Sequence, residues 1–287
     1  MRKLRISSIL LVVLMVALTG VLAFGLINRE WVMDYVRGMS YQPAGEMARI
    51  RDDLKLTERG EFLFNATRPQ LNGRETFNDT CRSAVDTEVA VLGCYTGGNI
   101  YIYNIVSEEL DGIRELTTAH ELLHAVWARM SEDEKVALVE PLTHVFEDNQ
   151  ELLESEITTY DINERQEELY VRAGTEVANL PEALEKHYAE VFADQDLIVR
   201  FYNSYIKVFR EIEAEMGSLK SEMEVIGAEI DAKRAEFERA PTWALYYEIN
   251  NLVNEYNARV EKYNADITRH EMLDQMINSR VEVNKAE

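Results

Sequence analysis

His120-Glu121-Leu122-Leu123-His124 sets two imidazoles four residues apart, with a carboxylate beside the first. On a helix of 3.6 residues per turn, positions i and i+4 project from one face, so both rings can reach a single Zn²⁺. Glu121 then lies next to the open coordination position, where it can take a proton from an activated water. Three fixed residues are a short pattern, so the surroundings carry the reading. Thr117-Thr118-Ala119 precede the motif and Ala125-Val126-Trp127 follow it, all uncharged, as a helix beneath a cleft requires. Between Glu108 and Met130 there is no proline, and Leu110, Ile113, Leu116, Leu123 and Val126 recur at helical spacing. Two core histidines and a buried glutamate without a metal would strand a carboxylate on an apolar surface, which is costly.

With these residues the chain resembles the HExxH zincin metallopeptidases, and within them the gluzincin branch of the minigluzincin type. The longer metzincin pattern is absent, since Met130 stands where its tail would continue. The resemblance implies an α+β fold, mostly helical, with a small β-hairpin or sheet over the active-site helix. It also implies Zn²⁺ as cofactor and a third ligand, a glutamate, on a later helix. The acid-rich segment 163–176 is the best source. Glu168 and Glu176 lie two turns apart on one face with Arg172 between them. Glu168 is taken as the ligand, and Glu176 as partner of a ligating histidine or of Arg172. His144 and His187 stay open as other ligands, while Glu164 and Glu167 read as a solvated face. The segment departs from the Glu-x-x-Ala-Asp form of many gluzincins. For the electrophile that steadies a tetrahedral oxyanion the candidates are His187, Arg172 and Tyr170, with His187 first.

Upstream, Val89 to Tyr95 and Ile100 to Ile105 are β-rich runs joined by Thr96-Gly97-Gly98-Asn99, a hairpin signal. The resemblance implies that one strand of this hairpin pairs with extended peptide. Cys81 and Cys94 are the only cysteines, and in an oxidising exterior they should pair, closing a short loop. Two free buried thiols are the alternative.

The chain opens on Arg2, Lys3 and Arg5, followed by an uncharged run from Ile6 to Ile27. A helix of that run measures about 33 Å, enough for a hydrocarbon core of roughly 30 Å. A signal peptide would usually have a shorter apolar region and an Ala-x-Ala site. The basic start places the N-terminus in the cytoplasm and the bulk of the chain outside. The expected organisation is a basic cytoplasmic tip at 1–5, a transmembrane anchor at 6–27, a zincin-like metallopeptidase domain at 28–196 and a helical hairpin at 197–287.

The net charge of -22 excludes a nucleic-acid partner, which needs clustered lysine and arginine. From Ser131 to Tyr170 thirteen acids face two bases, a solvated helical surface that aids solubility. Beyond Leu197, Ile212, Met216, Leu219, Met223, Ile226, Ile230 and Phe237 form one seam, with Lys233 its polar member. Ile249, Val253, Tyr256, Val260, Tyr263, Ile267, His270 and Ile277 form a second. Broken at Arg239-Ala240-Pro241-Thr242, with Pro241 suited to the first turn of the next helix, they read as an antiparallel coiled coil roughly 60 Å long. It can dock on the catalytic domain, hold substrate or self-associate, and His270 reads as packing. The expected function is a membrane-anchored, extracytoplasmic zinc peptidase acting on peptide or protein. The alternative is a non-catalytic envelope scaffold, against which an intact Glu121 argues.

Overall fold

The computed structural model describes residues 2–27, 29–81, 91–158, 160–162 and 164–278, with side chains of the first helix covered at 10–20, 22, 23 and 25. Val89 and Ala90, the start of the expected first strand, lie outside the described residues. In chain order the elements are α1 (Arg2–Ile27), α2 (Arg29–Met39), α3 (Glu46–Asp53), α4 (Glu58–Thr67), β1 (Gln70–Asn72), α5 (Arg74–Thr80), β2 (Gly93–Thr96) and β3 (Asn99–Tyr103). There follow α6 (Ile113–Trp127), α7 (Glu132–Asp148), α8 (Gln150–Ile157), α9 (Arg165–Glu176), α10 (Glu182–Tyr188), α11 (Gln195–Arg239) and α12 (Trp243–Ile277). The chain is mostly helical, with a small sheet and a long C-terminal helical hairpin, as expected. Among the described residues no helix is long and apolar enough to cross a membrane; of the expected anchor at 6–27, the side chains at 6–9, 21, 24, 26 and 27 lie outside the described residues.

The hairpin turn is two residues long. Gly97 and Gly98 both have positive φ, 56° and 74°, the backbone that a primed turn demands and that glycine adopts without a Cβ penalty. Thr96 pairs with Asn99 and Gly93 with Ile102. A third strand, β1, unexpected from the sequence, adds parallel to β3 with Leu71 opposite Ile102. The sheet order is therefore β1-β3-β2. β3 is paired on both sides, so among the described residues β2 is the hairpin strand with an edge that no other strand occupies.

Helix α6, which carries His120 and His124, starts at Ile113 rather than near Glu108. Gly112 takes φ 88° ahead of it, and a Cβ there would meet the Phe201 ring at 3.1 Å. Eleven of the helix's residues are buried, so α6 is nearly surrounded, and its flanks are apolar for that reason. The main core joins it to the sheet through Ile100 and Ile102, to later helices through Tyr170, Val171, Tyr188 and Ile198, and to the segment between α10 and α11 through Phe192. Each such large apolar side chain contributes about 1.5–3 kcal/mol on burial. Where α9 crosses α6 the contact is very close: a Cβ on Gly174 would lie 2.6 Å from Leu123 Cδ1 and 2.7 Å from Tyr188 Cε1. The approach at Gly174 brings the earlier turn of α9, with Glu168, against the histidine face.

The helical hairpin is seated on this core. Ile198 is fully buried in the main cluster, and Leu273, near the end of α12, joins Ile105, Leu110, Ile113, Val208, Phe209 and Ile212 in a second. Ile212, Leu219, Ile226 and Ile230 of the first seam are buried, and Lys233 donates to Glu248 across the pair at 2.7 Å. His270 packs edge-on against Phe209, in the packing role read from the seam. Pro241, expected in the first turn of α12, sits one residue before its cap; the Thr242 hydroxyl accepts from the Leu245 N–H. Proline there stops α11 and leaves the capping position to a side chain that can fill it.

Candidate metal centre

On α6 the four-residue spacing does what helix geometry requires. Nε2 of His120 and Nε2 of His124 converge to 3.3 Å. Glu168 enters from α9, with Oε1 3.8 Å from His120 Nε2 and Oε2 3.6 Å from His124 Nε2. The donor atoms of these three residues all lie within 4.8 Å of one another, so the group could hold a metal ion. Exposed His144 on α7 and His187 on α10 are not part of it.

A buried carboxylate needs compensation. Glu168 is only 2% exposed, and Arg172 one turn later donates Nε–H to its Oε1 at 2.6 Å. Arg172 donates in turn to Glu176 at 2.9 Å. Glu176 therefore braces Arg172, one of its two expected partners. The orienting partner of a histidine is instead Glu167, whose Oε1 stands 2.8 Å from His124 Nδ1. Its reading as a solvated acid is corrected here. An Nδ1–H donated to Glu167 fixes the tautomer that leaves Nε2 free to coordinate.

The electrostatics of the two imidazoles differ. Burial, then the neighbouring His124 and Arg172, hold the His120 pKa well below the usual histidine range. Burial pulls His124 down too, but the bond to Glu167 and the carboxylates of Glu121 and Glu168 outweigh it and raise the ring to about 9.

Glu121 is 5% exposed and lines a cavity of about 320 Å³ together with His120, Thr117, Arg172, Tyr202 and Tyr205. The strand β2 lies directly on it: a Cβ at Gly93 would fall 2.6 Å from both Cγ and Oε1 of Glu121. Only glycine lets the strand come so close. Cys94, the next residue, is disulfide-bonded to Cys81 with Cα atoms 5.9 Å apart, in a small cluster with Phe77 and Val91. The bridge, worth about 3 kcal/mol in the chain-entropy picture, ties β2 in place over Glu121.

His187 and Tyr170, two of the three oxyanion candidates, pair with each other through a 3.0 Å contact between His187 Nε2 and the Tyr170 hydroxyl. Neither lines the cavity. Tyr170 is wholly buried, packed between Trp127 and Tyr188 with the rings tilted by 37° and 34°. Burial lowers the His187 pKa, with Glu190 and Arg59 as its charged neighbours. Of the three, only Arg172 faces the cavity. Tyr202 and Tyr205, on α11, were not singled out in the sequence. Burial, then Glu176, push the Tyr202 phenol up to about 12, so it keeps its proton and remains a donor at neutral pH.

Comparison with protein-family models, curated proteins and solved structures returned no match.

Proposed function

We propose that the chain is a membrane-anchored, extracytoplasmic zinc metallopeptidase, and the observation that carries the reading is the convergence of His120, His124 and Glu168 beside Glu121. Two donors held about 2.0–2.1 Å from a zinc ion at the tetrahedral angle stand roughly 3.3–3.4 Å apart. The two imidazole nitrogens, 3.3 Å apart, meet that requirement, and Glu168 stands beside them with Oε1 3.8 Å from His120 and Oε2 3.6 Å from His124, so a shift of its carboxylate brings one oxygen to the ion. Two imidazoles and one carboxylate are also the donor set of catalytic zinc sites that keep a fourth position open.

When bound, the metal supplies Lewis acidity toward a peptide carbonyl and acidifies a neighbouring water. Glu121 would take a proton from a water there as the water oxygen adds to the carbonyl carbon, and would return it to the amine nitrogen as the carbon–nitrogen bond breaks. Arg172 and Glu167 hold Glu168 and His124 close to the positions that the ion requires. The open edge of β2, beside Glu121, is where an extended peptide adds its backbone hydrogen bonds. Tyr202 presents a hydroxyl to the cavity where a carbonyl oxygen would lie, beside the Arg172 guanidinium that serves Glu168 and Glu176. The anchor is the uncharged run Ile6 to Ile27 behind a basic start, which leaves the catalytic part outside, where Cys81 and Cys94 oxidise.

Zinc titration separates ligand from brace. Glu168→Ala loses a direct bond and should weaken zinc binding more than Glu176→Ala, whose loss, one step removed, costs on the order of 10- to 100-fold. The opposite order moves the third ligand elsewhere. The function itself is tested by hydrolysis of unstructured peptides by the purified full-length chain, which should vanish on chelation and return with zinc. Stoichiometric zinc with no hydrolysis of any peptide would favour the scaffold reading instead.

A further inference from the structure

The helix after the anchor has two unlike faces. At 100° per residue, Trp31, Val32, Tyr35, Val36 and Met39 form one uninterrupted, uncharged stripe roughly 140° wide. Trp31, Tyr35, Val36 and Met39 are about half exposed or more, from 48% to 70%. Trp31, at the border of the stripe, stacks on Tyr35 and on Phe62 of α4 with ring centroids 5.4 and 6.5 Å away, and the other face is consumed by the protein. Asp34 accepts both Nε–H and Nη2–H of Arg129 at 2.7 and 2.9 Å. Arg37 donates to the Ala66 carbonyl at 3.1 Å and to the Asn99 side chain at 2.6 Å. Arg129 also reaches the Tyr95 hydroxyl at 2.9 Å. These bonds bolt α2 to the hairpin and to the end of α6, five residues or roughly 7.5 Å along the chain from His124.

We infer that the exposed stripe of α2 rests in the interfacial layer of the same bilayer that holds α1, making α2 the bracket that sets the metal site at the membrane surface. This rests on the anchor reading. A single residue, Asn28, separates α2 from α1, whose apolar side chains from Leu10 to Leu18 and at Leu22 are themselves exposed. The two apolar surfaces follow one another in the chain, and a lipid surface covers both. Tryptophan and tyrosine are the side chains that prefer the headgroup level, and an in-plane helix with one apolar and one polar face is the form such an element takes. Arg29 borders the stripe on the helical wheel, placed for lipid phosphate. With α2 bolted to α6, the peptide bonds within reach of the metal site are those close to the bilayer.

The test uses the full-length chain in phosphatidylcholine vesicles containing lipids brominated on the acyl chains, which quench nearby indoles. Flotation reports the anchor and fluorescence reports α2. Both the parent and Trp31→Phe should float with the vesicles. The parent should lose emission in the brominated vesicles, and Trp31→Phe should lack that quenched component. In a second variant, Val36→Glu with Met39→Glu, the chain should still float while the Trp31 quenching disappears. Flotation with identical quenching in parent and Trp31→Phe overturns the placement of α2 while leaving the anchor standing. A chain that does not float overturns the anchor and, with it, this inference.

Discussion

Replacing both His120 and His124 with alanine abolishes zinc binding while the chain stays folded. The fold should survive because alanine is the best helix former and because Glu168, on losing the histidines, keeps its 2.6 Å bond to Arg172 and leaves no orphaned charge. Binding should not survive. Losing a group one step removed from a metal already costs about 10- to 100-fold in affinity, and here two of three direct donors go. Linkage gives a second readout. A ligand at a hundred times its Kd stabilises the native state by about 2.7 kcal/mol, so saturating zinc should raise the parent's unfolding midpoint and leave the double variant's unmoved. Zinc retained at the parent's stoichiometry would remove the site from His120 and His124.

Glu121→Gln should keep zinc and fold and lose hydrolysis by a factor on the order of 10² to 10⁴, the usual worth of a general base. The amide has the carboxylate's shape, so it fits under Gly93, where no bulk can be added. It cannot take up the proton. Exchanging a buried carboxylate for a neutral group also removes part of its desolvation cost, so the variant should unfold at the parent's midpoint or above it. Equal rates in parent and variant would end the role assigned to Glu121.

What the sequence showed and what it hid divide along physical lines. His120 and His124 were legible because they share one helix, whose period fixes their relation without knowledge of the remaining chain. The hairpin was legible for the same local reason, Gly97-Gly98 between two β-rich runs. So were the two seams, read from a 3-and-4 spacing. Glu168 stood out as an acid among apolar residues, and it is the buried one. Glu167 was misread because its partner lies on another helix: nothing in the local pattern says that it turns toward His124. His187 was misplaced for the same reason. Its partner Tyr170 is fixed by how α10 packs on α9, which spacing cannot reveal. β1 spans three residues, too few for any periodicity. Gly93 did carry a signal, a glycine interrupting a β-rich run, which marks close backbone approach. Tyr202 and Tyr205 reach the cavity only because α11 docks on the core, one of three arrangements that the seam alone left open.

The most direct test of the central claim is a peptide-library digest by the purified full-length chain, with products read by mass. Water should be added across internal amide bonds. Hydrolysis should be lost on chelation, restored by about one equivalent of zinc, and absent from Glu121→Gln at the same zinc content. A parent chain that carries zinc on His120, His124 and Glu168 and leaves every peptide intact would contradict the claim.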